Sequence, residues 1–392
     1  MITHPTPPPR GFPVSEFENR LARAQAMMAQ AGLDALLLCS EPEVRYFTGF
    51  LTQFWQSPTR PWFVIVPKGA KPIAVIPEIG AACMGRTWID DIRTWASPDM
   101  QDDGVSLLAE TLREVTPRGG KVGLPMGHET HLRMPLADYE RLRERLGEVD
   151  FSDATAIVRS LRMVKSEAEI AKIAHACQLV SNAFDQAHTL FHIGQSDSDV
   201  FRAFKIECLK KGVDDVSYLV GGAGVGGYDD IISPPSGRVL VDGDVLILDT
   251  GCTFDGYFCD FDRNFGFTDV EDAARRAYQS VYQATEAGLQ VVRPGVTCAE
   301  VYEAMQNVMS EAGALGNTVG RLGHGLGMQL TEWPSHTPAD KTVLEVGMVI
   351  TLEPGMTFAP GKVMVHEENL VVREDGPELL SRRAAPELPV IG

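Results

Sequence analysis

The sequence has no apolar run approaching the roughly 18 residues that span a bilayer, so a membrane helix is excluded. It has no basic run either. Lys and Arg number 35 against 53 Asp and Glu, a formal charge of -18, and nucleic-acid binding, which needs clustered cations on phosphates, is excluded with it. Cysteine is sparse and unpatterned: seven residues, at 39, 83, 177, 208, 252, 259 and 298, an odd set without a C-x-x-C pair. That usage predicts reduced thiols and no disulfide framework. The opening MITHPTPPPRGFP is Pro-rich and lacks the apolar segment of a signal peptide, which predicts a loose arm and a cytoplasmic protein. No internal repeat or low-complexity tract is visible.

What is present is an ordinary globular composition, 44% apolar and 22% charged over 392 residues, enough for two to three domains. Phe17, Leu21, Ala24, Met28 and Ala31 recur at helical spacing and stop at Gly32. Short buried strands are expected at Asp34–Cys39, Phe63–Val66, Ile73–Ile76 and Val122–Leu124, alternating with helices near 105–115 and 136–147. Residues 15–155 thus read as a small α/β domain. Beyond a boundary near 155–165, Ser166 and Glu169 form a capping box for a long helix to about Leu190, and another helix follows from about Ser198 to Lys211. A Gly/Pro-rich stretch (221–237) precedes strands at 244–250 and 256–267, helices at 271–291 and 298–313, and strands near 347–353 and 363–373. Residues 160–392 therefore read as an α+β domain with a mostly antiparallel sheet.

Two acidic hairpins stand out. Folding the chain about the turn dipeptide Asp255-Gly256 sets Asp249 opposite Asp262 and diagonal to Asp260. Folding about Pro360-Gly361 sets Glu353 opposite Glu368, with Glu367 on the other face, so Glu368 is the expected partner. Between them lies Leu322-Gly-His324-Gly325-Leu-Gly327, whose glycines let the backbone approach closely and turn one imidazole to a cleft. Buried carboxylates need a compensating charge. Four carboxylates and an imidazole suit Mn(II), Co(II), Fe(II) or Zn(II), and bridging carboxylates would allow two ions roughly 3.5 to 4 Å apart.

With these residues in view, the chain resembles the M24 metallopeptidase and creatinase-prolidase family, the pita-bread fold. Gly32-Leu-Asp34-Ala-Leu-Leu37 and Arg45-Tyr-Phe-Thr-Gly49 are similar to its N-terminal domain, and Leu161-Arg-Met-Val-Lys165-Ser166 to the entry of its catalytic domain. The resemblance implies a metal set of Asp249, Asp260, His324, Glu353 and Glu368 holding two divalent ions, with Asp260 and Glu368 bridging and Glu353 as proton acceptor. It implies a homodimer, with the N-terminal domain of one subunit lining the other's cleft. It also implies Xaa-Pro dipeptidase-like hydrolysis of a C–N bond in a small, carboxylate-bearing substrate.

Three departures qualify the substrate. Prolidase-type members carry histidines where this chain has Ile232 and Thr331, and the Thr of their D-x-T-R segment is Asp262 here. Gly323–Pro334 and Met364–Asn369 are also similar to the ectoine-hydrolase branch. The alternative is thus an enzyme acting on a small osmolyte: an ectoine hydrolase, a creatinase-like amidinohydrolase or a dimethylsulfoniopropionate lyase. A third reading is a pseudo-peptidase binding module. Arg60, in Pro58-Thr-Arg60-Pro61-Trp62, lies where creatinase has an Arg that holds the substrate carboxylate, and Trp55 is a candidate aromatic lid. Thr331 and His366 complete the candidate substrate-binding set. Gly222-Ala-Gly224-Val-Gly-Gly227 matches a dinucleotide fingerprint without a helix to follow; His188/His192 and His128/His131 lack the context of a metal site, and Cys252 and Cys259 read as packing.

Overall fold

The computed structural model describes residues 6–317 and 320–392, which gather into two compact units, Pro9–Arg162 and Met163–Gly392. In the first, the predicted amphipathic helix spans Val14–Ala31, buries Phe17, Ala24 and Met28, and ends where Gly32 takes φ 68° and returns its N–H to the last turn. Six strands follow: β1 (Ala35–Leu38), β2 (Phe63–Pro67), β3 (Ile73–Pro77), β4 (Asp91–Trp95), β5 (Lys121–Leu124) and β6 (Asp150–Asp153). Their order is β4-β3-β2-β1-β5-β6, antiparallel at β1/β2 and β2/β3 and parallel elsewhere. Leu36, Leu37 and Leu38 are all buried, the mark of a central strand covered on both faces. Helices Val105–Val115 and Leu136–Leu146 supply Leu108, Leu112 and Leu142 to the core beside Leu37, Ile65 and Val122.

The sequence reading misses β4 and β6 because they are edge strands of mixed polarity, DIRTW and DFSD, with no apolar run. It also misses the helix Glu41–Thr48, which begins after Ser40 with Pro42 in its first turn, and the helix Thr155–Met163 at the expected boundary.

In the second unit Ser166 and Glu169 form both hydrogen bonds of the capping box at the head of helix Glu167–Phe184. That helix ends earlier than expected, and a separate turn covers Ala187–Leu190. The strands are β7 (Asp215–Val225), β8 (Asp244–Phe254), β9 (Tyr257–Phe258), β10 (Phe261–Phe267), β11 (His324–Gly325), β12 (Glu332–Ser335), β13 (Val349–Leu352), β14 (Gly355–Ala359), β15 (Lys362–Val365), β16 (Glu368–Arg373), β17 (Gly376–Leu379) and β18 (Val390–Ile391). They form the sheets β18-β10-β8-β7, with β9 on β8, and β12-β11-β13-β16-β17, plus the β14/β15 ribbon. All pairs are antiparallel except β10/β18, among the described residues. Helices Asp272–Val291 and Cys298–Glu311 bury Val281, Ala284, Val301 and Met305 against Ile247, Ile350, Leu352 and Leu370.

The Gly-rich segment does not open as a loop: β7 continues through Val225. A Cβ on Gly221 would lie 2.1 Å from the Ile247 carbonyl oxygen, so glycine is what lets β7 lie against β8 there. The GxGxxG match therefore falls on a strand and its turn. The seven cysteines are free, and six of them are buried.

Candidate metal centre

The β8/β9/β10 hairpin builds one wall. Asp255 and Gly256 both take positive φ, 46° and 74°, the backbone of a tight two-residue turn whose twist matches the flanking strands. The register runs from Phe254 opposite Tyr257 to Asp249 opposite Asp262, as the turn dipeptide predicts. Asp260 sits between β9 and β10. Its backbone is clamped by Asn369 of β16, whose Oδ1 accepts from the Asp260 N–H at 2.8 Å and whose Nδ2 donates to the Asp260 carbonyl. Nothing in the local sequence pattern signals Asn369, because its partner lies 109 residues away.

The β14/β15 ribbon builds the other wall, and it corrects the choice between Glu367 and Glu368. The register shifts by one residue between Thr357 and Ala359, a β-bulge. Beyond it Gly355 faces Val365 and Leu352 faces Glu368, so Glu353 counts against Glu367. One residue of slip exchanges the two faces. Glu368 turns away from the cleft and accepts from Arg263 at 3.0 Å, Arg383 at 3.2 Å, the Ala384 N–H at 2.9 Å and the Ser381 hydroxyl. Burial by itself would raise its pKa, yet Arg263, His366, Ser381 and Arg383 hold it below the ordinary range. It is a satisfied structural carboxylate.

His324 closes the constellation from β11, squeezed between β12 and β13. A Cβ on Gly325 would lie 2.1 Å from the Trp333 carbonyl oxygen, and one on Gly323 2.3 Å from that of Thr351. Glycines on both sides are therefore required for the strand to fit. The imidazole Nδ1 donates to the Gly325 carbonyl at 2.9 Å, which leaves Nε2 as the acceptor, 3.5 Å from Asp260 Oδ2. Asp260, His324 and Glu367 each place one ligand atom within 4.8 Å of the others.

Asp249, Asp260, His324, Glu353 and Glu367 line one cavity of about 160 Å³ with Tyr218, Arg321, Leu330 and Thr331. Asp249 Oδ1, Asp260 Oδ1 and Glu367 Oε1 are buried without a hydrogen-bond partner. Burial pushes the Asp249 carboxyl up to about 7. Burial also raises Asp260, Glu353 and Glu367 well above the ordinary carboxylate range, and the neighbouring carboxylates add to it. Such a set can be ionised together only with positive charge among it, and its oxygen-rich donors with one imidazole fit a hard or borderline divalent metal.

Thr331 lines the cavity, but His366 does not. That imidazole, expected to touch substrate, is buried between Thr285 Oγ1 at 3.0 Å and Arg383 at 2.9 Å, packed behind Glu368. Ile232 is 74% exposed on a surface segment. His336 is wholly buried beside Gly323 and lines no part of the cavity. Trp55 and Arg60 belong to the first unit, on a loop pinned by Arg133, which donates to the carbonyls of Phe54, Ser57, Thr59 and Arg60 and lies over the Trp55 ring. The sequence reading overlooks Tyr218, Arg321 and Leu330. Arg321 alone carries a signal, standing three residues before His324 in the same segment.

Convergent carboxylates and one imidazole at the floor of a small cavity, held by two antiparallel hairpins, define a metallohydrolase site. The chain belongs to metallopeptidase family M24: residues 171–374, just over half of it, match that family's model, and residues 20–164 match the creatinase/prolidase N-terminal domain. It is 27% identical over 383 residues to the probable dipeptidase PepE of Mycobacterium tuberculosis, covering 94% of this chain and 95% of that one. It is 26% identical over 366 residues to the Xaa-Pro dipeptidase of Lactobacillus delbrueckii subsp. lactis, covering 91% and 95%. The crystal structure of dipeptidase PepE from Mycobacterium ulcerans superposes with a TM-score of 0.84 at 27% identity, over 97% of this chain and 99% of that one. No helix among the described residues is long and apolar enough to cross a membrane.

Proposed function

We propose that this chain is a dinuclear-metal-dependent hydrolase that cleaves a C–N bond in a small carboxylate-bearing substrate, in the manner of an Xaa-Pro dipeptidase. The observation that carries the reading is the set of buried, unpartnered carboxylate oxygens of Asp249, Asp260 and Glu367 on one cavity with Glu353 and His324. Two divalent ions, Mn, Co, Zn or Fe, held by these five residues would supply Lewis acidity and an acidified water. Glu353, on the same cavity, is the carboxylate that would take up a proton from the nucleophile and pass it to the leaving nitrogen. Its pKa is raised above the ordinary carboxylate range by burial first and then by Asp249 and Asp262. Arg321 is the one guanidinium on the lining among the described residues, braced by its 2.8 Å bond to Ser335 Oγ, and it binds the substrate carboxylate. Tyr218 keeps its proton, because burial and the adjacent carboxylates push the phenol up, and it presents a donor to the substrate carbonyl.

The dipeptidase and Xaa-Pro dipeptidase relatives support this substrate class. A second reading, hydrolysis of a small zwitterionic osmolyte on the same site, is favoured by Thr331, which lines the cavity where the resembling prolidases carry a histidine. Assays of Xaa-Pro dipeptides against ectoine and creatine on metal-reconstituted protein separate the two. The expected homodimer belongs to the same proposal and is checked by the mass in solution.

A further inference from the structure

Asp262 is a carboxylate that the five-residue metal set does not use. It stands opposite Asp249 in the β8/β10 register, and directly paired residues of antiparallel strands put their side chains on the same face. It is 1% exposed and its Oδ1 has no hydrogen-bond partner. Arg263, next in sequence, spends its hydrogen bonds on the backbone carbonyls of Asp262, Glu367 and Arg382 and on the carboxylate of Glu368, so it offsets Asp262 by its charge alone, and the backbone of Glu367 supplies one hydrogen bond. A carboxylate buried in this way costs several kcal/mol unless a positive charge compensates it. Fully ionised, the four carboxylates of the metal set would carry four negative charges, the number that two divalent ions match, and Asp262 would add a fifth.

We propose that Asp262 is a further acidic group of the metal centre, which strengthens cation binding at the Asp249 end of the cavity. The proposal rests on the metal-centre reading. In D-x-T-R chains a neutral Thr fills this position, so the charge beside Asp249 is a property of this sequence. The added charge attracts the cation whether Asp262 reaches it directly or acts from behind Asp249, and it favours hard ions such as Mn(II).

The test is Mn(II) binding to the chelator-stripped full chain, followed by electron paramagnetic resonance and counted by elemental analysis, for the unaltered protein, Asp262→Asn and Asp262→Thr. Asn keeps the shape and removes the charge; Thr is the smaller residue of the resembling chains, so one of the two reports if the other folds poorly. The expected result is a loss of about 10- to 100-fold in affinity for the tighter equivalent of Mn(II) in both variants. The metal-free Asn variant should also unfold at a higher temperature than the metal-free unaltered chain, because a repulsive neighbour of Asp249 has gone. Equal Mn(II) affinity in all three chains would overturn the proposal alone. Failure of the unaltered chain to bind Mn(II) would overturn the proposal, and failure to bind Co(II) and Zn(II) as well would overturn the metal-centre reading with it.

Discussion

Adjacent residues of one type have opposite roles here, and single substitutions expose the difference. Glu367→Gln should remove a ligand, so that metal content falls by at least one equivalent while the fold persists. Glu368→Gln should leave the metal count unchanged and destabilise the chain by about 3–5 kcal/mol, because two guanidinium groups lose a buried counter-charge; elemental analysis and urea unfolding separate the outcomes. The buried imidazoles give a pH signature. Burial holds His336 down to about 4 and His366 to about 3, against 6.5 in the unfolded chain. Both are therefore neutral when folded and take up protons first on unfolding. Their contribution to stability is complete above about pH 6.5 and falls with acidification by up to ~1.4 kcal/mol per unit for each histidine, until the folded pKa is passed. Urea midpoints measured from about pH 7.5 to about pH 5 should fall less steeply in His336→Gln than in the unaltered chain.

At the scale of elements, legibility follows the locality of the signal. The Asp255-Gly256 turn is written in two residues and fixes the pairing of Asp249 with Asp262 six residues away on either side. The second hairpin has an equally clear turn, but a bulge at Thr357/Ala359 shifts its register, and no residue there announces it. The two edge strands of the first unit are invisible because they bury little, and Asn369 because its partner is distant in sequence. The 53–61 loop is likewise held from afar. Arg133→Met should release its four carbonyl contacts and speed proteolytic cleavage within residues 53–61 while leaving the β1–β3 core protected; unchanged cleavage would remove Arg133 from that role.

At the scale of the molecule, the fold class was legible because apolar runs, helical spacing and motif-bearing hairpins all point to the same architecture, whereas the substrate was not, because it depends on which side chains meet over the cavity. Arg321 and Tyr218 meet there with Thr331, and none of the three is marked by periodicity. Arg321→Met should raise KM for carboxylate-bearing substrates by at least about tenfold with a smaller change in kcat, while an unchanged KM would take the guanidinium out of substrate binding. The account stands most directly on metal-dependent turnover. The decisive measurement is proline release from Xaa-Pro dipeptides by chelator-stripped protein, before and after addition of Mn(II), Co(II) or Zn(II), with bound metal counted in the same samples. The account predicts no release without metal and restored release as occupancy approaches two ions per chain; release that persists in fully stripped protein, or silence at full occupancy on dipeptides and osmolytes alike, would contradict it.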